Sequence, residues 1–355
     1  MESNLKINRP EPIVNDIDTI LFKNRTDIYS TIDQLVAGVN VLITGTYSNG
    51  LDLIFEVQKY LRKKYPDKSF KEQRRYRNEF HKISNQILLE VTNHQLKVKK
   101  SPEIGWLKKL YPELERFLLP FPVIQGLNSS WQWYQKGITM PVLRNKIHPF
   151  YGVYFPTRFE HIILFDNWLK RYEGAKKSAI DVGIGCGVLS FQMTKYGFQK
   201  VYGTDTNPNA IHGLIEFMGD TKISRKIELD CGNLFGKWEK QTELIVFNPP
   251  WLPTSKKHGR LDEAIYYSDN LLPDFFEQAK KRLLPDGKIV VLFSNLAQLT
   301  GVIDEHPIEV ELAKNKRFKL VSKLTRSVGS SSKKTTREQS WRKDEVVELW
   351  ELENY

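Results

Sequence analysis

The chain has 355 residues, ordinary apolar and charged fractions and a net charge of +11; that length buries a full core and suits one large domain plus a smaller one, and the charge speaks to partners and solubility rather than to fold. No stretch approaches the roughly 20 apolar residues of a membrane helix, and the polar start MESNLKINRPEP lacks the apolar centre of a signal peptide, which leads us to expect a cytoplasmic protein with no membrane partner. The only cysteines, Cys186 and Cys231, offer neither a disulfide framework nor a metal-binding spacing, so no metal site is expected.

Residues 1–140 read as mainly helical, with apolar positions at helical spacing in IDTILF, LDLIFEVQKYL and ISNQILLEV. VNVLITGTYSNGLDLIF has the outline of strand, glycine turn and helix. A phosphate-binding loop needs Lys and then Ser or Thr after its last glycine, however, and Leu51 and Asp52 follow Gly50, so the turn is read as structural. From Lys59 to Lys82 there are ten Lys or Arg against three acids. This is either a phosphate-binding face for RNA or DNA with Tyr60, Tyr65, Phe70, Tyr76 and Phe80 interleaved, or a solvated helix pair whose aromatics face the core. Leu118 to Pro149, rich in Pro, Gly, Trp and Asn, reads as a connector whose NSSWQWY could close over a small-molecule substrate.

Next comes HPFYGVYFPTRFEHIILFDNWL. Thr157 could cap the following helix and Arg158 could pair Glu160 or Asp166, while His148 and His161 read as structural. From Ser178 the pattern changes. SAIDVGI, KVYGTD, KIELD, ELIVF and GKIVVLF are short apolar runs alternating with helix-forming segments, the signature of a doubly wound, mostly parallel sheet in an α/β domain. IEVELAKNK suits a helix. FKLVSKLTRSV and DEVVELWEL would form an antiparallel hairpin at the sheet's edge, bringing it to seven strands, and the polar basic stretch between them, Ser330 to Lys343, reads as a mobile loop.

AIDVGIGCGVLS places Asp181 at a strand end and Gly183, Gly185 and Gly187 in the turn that opens the next helix, where glycine lets the backbone bend tightly and admit a ligand. About twenty residues on, KVYGTD ends the second strand with Asp205, suited to accept hydrogen bonds from ribose hydroxyls. Together these point to an adenosine-containing ligand. In order and spacing, DVGIGCGVLS, GTDTNPNAI, DCGNLF and IVFNPPW resemble the motifs of class I S-adenosylmethionine-dependent methyltransferases with an NPP(Y/F/W) site, over roughly Tyr151 to Asn295. YFPTR is similar to a segment of the ribosomal-RNA adenine methylases of that branch and, more loosely, of the glutamine methyltransferases that modify peptide release factors.

The resemblance implies S-adenosyl-L-methionine as cofactor. Asp181 and the three glycines would line its methionine and ribose side, Asp205 would hold the ribose, Asn233 would face the adenine amine where the family usually has an acid, and Thr157 would brace the cofactor. With the helical reading of 1–140, the chain is expected to divide into a mainly helical N-terminal domain at 1–140 that could recognise substrate or act as a lid, a connector with the cofactor-pocket approach at 141–177, and a Rossmann-like catalytic domain at 178–355.

In VFNPPWLPT two consecutive prolines end the strand and remove two N–H donors, leaving carbonyls facing outward. The Asn248 side-chain oxygen and the Pro249 carbonyl would accept both hydrogens of an amine, Pro250 would keep the turn rigid, Trp251 would stack on a flat substrate group, and Arg158 would meet an anion or the substrate. The leading expectation is N-methylation of an adenine exocyclic amine in RNA or DNA. The alternatives are a protein glutamine, a small planar metabolite, and a methyltransferase-like binding protein without turnover.

Overall fold

The computed structural model describes residues 5–66, 70–253, 266–329 and 344–355, so the basic stretch Ser330–Lys343 and residues 67–69 of the earlier basic run lie outside the described residues. The chain forms two compact units, one of Arg9–Gln135 and one of Met1–Asn8 with Lys136–Tyr355.

The Arg9–Gln135 unit contains β1 (Thr19–Phe22), α1 (Ile28–Val36), β2 (Asn40–Ile43), α2 (Tyr47–Lys64), α3 (Phe70–Ser84), β3 (Ile87–Thr92), β4 (Gln95–Leu96), α4 (Trp106–Leu110), β5 (Arg116–Pro120) and α5 (Phe121–Lys136). Helices hold more residues than strands, but the helical reading misses a mixed sheet in the order β1-β2-β3-β4, with β5 also on β3. IDTILF contains β1, and ISNQILLEV runs into β3. The reason is physical: Ile87–Val91 are all buried, and an apolar run covered on both faces has no period that separates strand from helix. The connector reading is corrected as well. Phe121–Lys136 is a sixteen-residue helix, and the half-buried Trp131 and Tyr134 rings of NSSWQWY pack on buried Trp106 at centroid distances of 5.2 and 4.7 Å. Gly50 lies in α2 against the Phe121 ring, which a Cβ would meet at 2.1 Å.

In the other unit, α6 (Glu160–Leu169) precedes β6 (Ser178–Val182), α7 (Val188–Lys195), β7 (Lys200–Asp205), α8 (Pro208–Met218), β8 (Ile227–Cys231) and β9 (Thr242–Phe247). Then follow β10 (Leu252–Pro253), β11 (Tyr266–Tyr267), α9 (Leu271–Arg282), β12 (Leu283–Ser294), α10 (Leu296–Leu299), α11 (Pro307–Asn315), β13 (Phe318–Ser327) and β14 (Val346–Asn354). The sheet has seven strands in the order β13-β14-β12-β9-β6-β7-β8. β12, β9, β6, β7 and β8 are parallel, and β14 and β13 form the expected antiparallel pair, with β13 outermost. Side chains alternate across the sheet. Ala179, Leu244, Val246 and Val290 join Phe165, Phe191 and Leu214 in one core, while Ile180, Ile245, Phe247 and Val291 join Phe275, Phe276 and Ile308 in the other. Both faces are therefore covered, as a doubly wound sheet requires. Among the described residues no helix is long and apolar enough to cross a membrane.

Candidate active site

The strand order reverses direction at β6, with β7 on one side and β9 on the other, and ligands of open α/β sheets bind beyond the carboxyl ends of strands at such a point. The register is informative here. Val182 lies opposite Phe247 of β9 and opposite Thr204 of β7. Gly183, Asn248 and Asp205 are thus the next residues on three adjacent strands, reaching the same end of the sheet together.

The turn after β6 depends on glycine. Gly183, Gly185 and Gly187 have φ of 68°, 52° and 82°, values that cost an L side chain strain. A Cβ on Gly187 would also press on Leu214 and Phe191 at 2.8 and 2.9 Å, whereas on Gly183 or Gly185 it would meet nothing closer than 3.7 Å. Gly187 therefore sits against packed side chains, while the other two leave open space beside the backbone. Tyr154 passes the same turn, its carbonyl 3.8 Å from that Cβ position on Gly185. A shallow recess, partly open to solvent, lies between this turn, His148, Phe150 and Gly213 of α8.

Asp205 ties the glycine turn to its own strand. Its Oδ2 accepts from Gly185 N and its Oδ1 from Asn207 N, both at 2.8 Å. Burial pushes the carboxyl above the usual range despite these two donors, and each oxygen retains a further lone pair. Asp181 points between the sheet and α7: Oδ2 accepts from Ser190 Oγ at 2.6 Å, and Oδ1 is buried with no partner among the described residues. Burial raises this carboxyl to about 7, with the Asp205 charge adding to the shift. Asn233, two residues past β8, is exposed, and its carbonyl accepts from Gly236 N at 2.9 Å.

After β9, buried Pro249 and half-buried Pro250 follow Asn248. The Trp251 indole N–H donates to Asn248 Oδ1 at 3.3 Å, and its ring meets His161 edge to face at 5.6 Å. Burial lowers His161 to about 4, so the imidazole is neutral, and its Nδ1 has no partner among the described residues. Thr157 is exposed and does not cap α6, whose N-cap is Phe159. Arg158 pairs neither Glu160 nor Asp166. Its Nη1 lies 2.9 Å from Oε2 of buried Glu345, at the start of the return to β14.

The arrangement contains residues that the sequence analysis did not single out. Asn207 caps α8 and donates to the Gly152 carbonyl at 2.9 Å, and buried Asn209 donates to the carbonyls of Asn8 and Tyr151 at 2.7 Å. The Asn8 N–H donates back to Asn209 Oδ1 at 2.7 Å. An Asn directly before Pro208 is a legible cap signal. The bonds to Asn8 and Tyr151 span separations that no local pattern encodes.

Residues 163–322 match the methyltransferase small domain family. A Methanocaldococcus jannaschii protein named as a protein N5-glutamine methyltransferase is 27% identical over 162 residues, 43% of this chain and 77% of that protein. The ribosomal protein L11 methyltransferase of Alkaliphilus metalliredigens is 25% identical over 142 residues, 39% of this chain and 45% of that one. The solved ribosomal protein L11 methylase of Lactobacillus delbrueckii subsp. bulgaricus is similar over 61% of this chain and 90% of its own, at 18% identity and a TM-score of 0.40. With the seven-stranded sheet and its glycine turn already described, the family match and these curated relatives make this chain an S-adenosyl-L-methionine-dependent methyltransferase.

Proposed function

We propose that the C-terminal unit methylates a planar amine or amide nitrogen, and that the acceptor is the exocyclic amine of adenine in RNA or DNA. One observation carries the reading: Asn248 stands one residue beyond the β6–β9 ladder, beside the glycine turn, and its oxygen keeps a lone pair after accepting from Trp251.

When bound, S-adenosyl-L-methionine supplies an electrophilic methyl and a thioether leaving group. An exocyclic amine is a poor nucleophile because its lone pair is delocalised into the ring. Asn248 Oδ1 and the Pro249 carbonyl would each accept one of its hydrogens, favouring a pyramidal nitrogen whose lone pair faces the methyl. Transfer would form the N–C bond as the C–S bond breaks, and the extra proton on nitrogen would leave to water afterwards, so no buried base would be needed beforehand. Pro250 keeps the turn rigid and Trp251 offers a face for stacking. Asp205 has acceptor capacity for ribose hydroxyls, and the unpartnered Asp181 oxygen suits the cationic methionine end. Gly183 and Gly185 give the cofactor room, while Asn233 and exposed Thr157 would flank it. Arg158, tied to Glu345 through one nitrogen, keeps other N–H groups for an anionic part of the acceptor.

A protein glutamine is the second reading, favoured by the name of the M. jannaschii relative, and the same two acceptors would serve its amide. The test is tritium transfer from labelled cofactor into a cell extract fractionated into RNA, DNA, protein and small molecules, with Asn248→Ala as control. Label in RNA or DNA that disappears with the variant supports adenine. Label in protein supports glutamine, and label in small molecules overturns both.

A further inference from the structure

An adenine amine inside a duplex is hydrogen-bonded and stacked, so an enzyme acting on it needs the base unpaired. Resting on that reading, the Arg9–Gln135 unit offers a surface suited to an unpaired strand. α2 buries Leu53, Ile54, Val57 and Leu61 and turns the opposite stripe outward. On that stripe Phe55 is 58% exposed, an unusual cost for an aromatic ring, with exposed Lys59 and Arg62 at i+4 and i+7. α3 packs on α2 through the Lys64–Glu79 ion pair at 2.6 Å. Its half-buried Tyr76 and Phe80 and buried Ile83 form one side, and exposed Arg74, Arg77 and Lys82 lie away from them.

The acids on these helices do not cancel the cations. Of the acids, exposed Asp52 lies one turn before Phe55, and Glu56, Glu72 and Glu79 are taken by Lys59, Arg75 and Lys64. Arg62, Lys63, Arg74, Arg77 and Lys82 form no ion pair with another described residue of these helices. Bare cations with an exposed ring are what phosphates and an unstacked base require.

We propose that this face of α2 and α3 binds unpaired RNA, with phosphates on Arg62, Arg74, Arg77 and Lys82 and a base stacked on Phe55. The experiment is fluorescence anisotropy of a labelled oligoadenylate and of a hairpin duplex, titrated with salt, using the full chain. Replacing Arg62, Arg74 and Arg77 with Gln is expected to flatten the slope of log affinity against log salt by about 2, from roughly 0.7 per phosphate contact. Phe55→Ala should weaken binding about ten-fold, and Phe55→Tyr should restore it. These exposed positions leave folding intact, which a melting curve checks.

Parent-like binding by both variants overturns the proposal, as does absence of oligoadenylate binding by the parent. Equal affinity for duplex with no effect of Phe55→Ala, or displacement by polyglutamate at equal charge, reduces the face to a general anion surface and also overturns it. Failure of this surface is separable from failure of the adenine reading. If label still enters RNA while the variants bind normally, only the surface falls; if the variants lose oligoadenylate but label goes to protein, only the adenine reading falls.

Discussion

Buried acceptors are handled differently in the two units. In the Arg9–Gln135 unit, Glu90 of β3 is 7% exposed and its Oε1 takes Lys97 and Arg116 at 3.0 Å and Thr92 at 3.1 Å. Burial alone would raise its pKa, but those donors outweigh it and hold the carboxyl below its ordinary value. In the C-terminal unit no cation reaches Asp181 or Asp205 among the described residues. Asp181 has one oxygen without a partner, Asp205 has only two backbone donors, and both stand above the usual range. Saturated buried carboxylates are architecture. Carboxylates left short of donors at the ends of adjacent strands cost stability, and a ligand that completes them recovers it.

The sharpest way to break this contrast is at Asn248, the third acceptor at that end of the sheet. Asn248→Ala is expected to reduce turnover about 10²–10³-fold, with cofactor affinity in calorimetry close to the parent. An equal loss of cofactor binding would move Asn248 to the cofactor side. Next in size, Asp205→Ala should weaken S-adenosyl-L-methionine binding about ten- to a hundred-fold, the cost of losing hydrogen bonds to a charged acceptor; unchanged affinity would take Asp205 out of the site.

Asp181 gives a smaller effect with a defined direction. Between about pH 4 and 7 the folded carboxyl holds its proton while the unfolded one ionises, so its contribution to stability declines as pH rises through that window and is flat above it. Asp181→Asn should remove that decline in melts of the cofactor-free protein, and an unchanged slope would assign it to another group. Glu90 behaves oppositely: its contribution is present above about pH 4.3 and disappears on acidification. Its partners Lys97 and Arg116 are 63% and 67% exposed, so Glu90→Gln should cost only about 1 kcal/mol, read by urea denaturation. A loss several times larger would mean that the contrast between the units is weaker than the geometry indicates.

Much of the C-terminal unit was legible because its signals are local. β6, β7 and β9 are compact apolar runs, each closed by a residue with a backbone role, such as the glycines after Val182 or the prolines after Asn248. In the other unit β2 showed in the outline of VNVLITG, but β1, β3, β4 and β5 were hidden because they have two to six residues and Ile87–Val91 of β3 are all buried, which erases the period of two. Within the site, residue types could be read but pairings could not. His161 behind Trp251 and Glu345 on Arg158 join segments 90 and 187 residues apart, and the fate of Asp181's two oxygens depends on how α7 packs.

The Asn8–Asn209 clamp has a consequence for how the chain is made. It joins residues 201 positions apart, so during vectorial synthesis Asn8 leaves the ribosome long before its partner exists. All of Arg9–Gln135 emerges in between and contains its own sheet, so it can fold while the strap waits unpaired. Closing so long a loop onto Asn209 adds little further entropy cost once α8 has docked. The turn after β7 would then be one of the last parts of the molecule to become rigid, and a ribosome stalled before residue 209 would carry a folded Arg9–Gln135 unit without that turn in place.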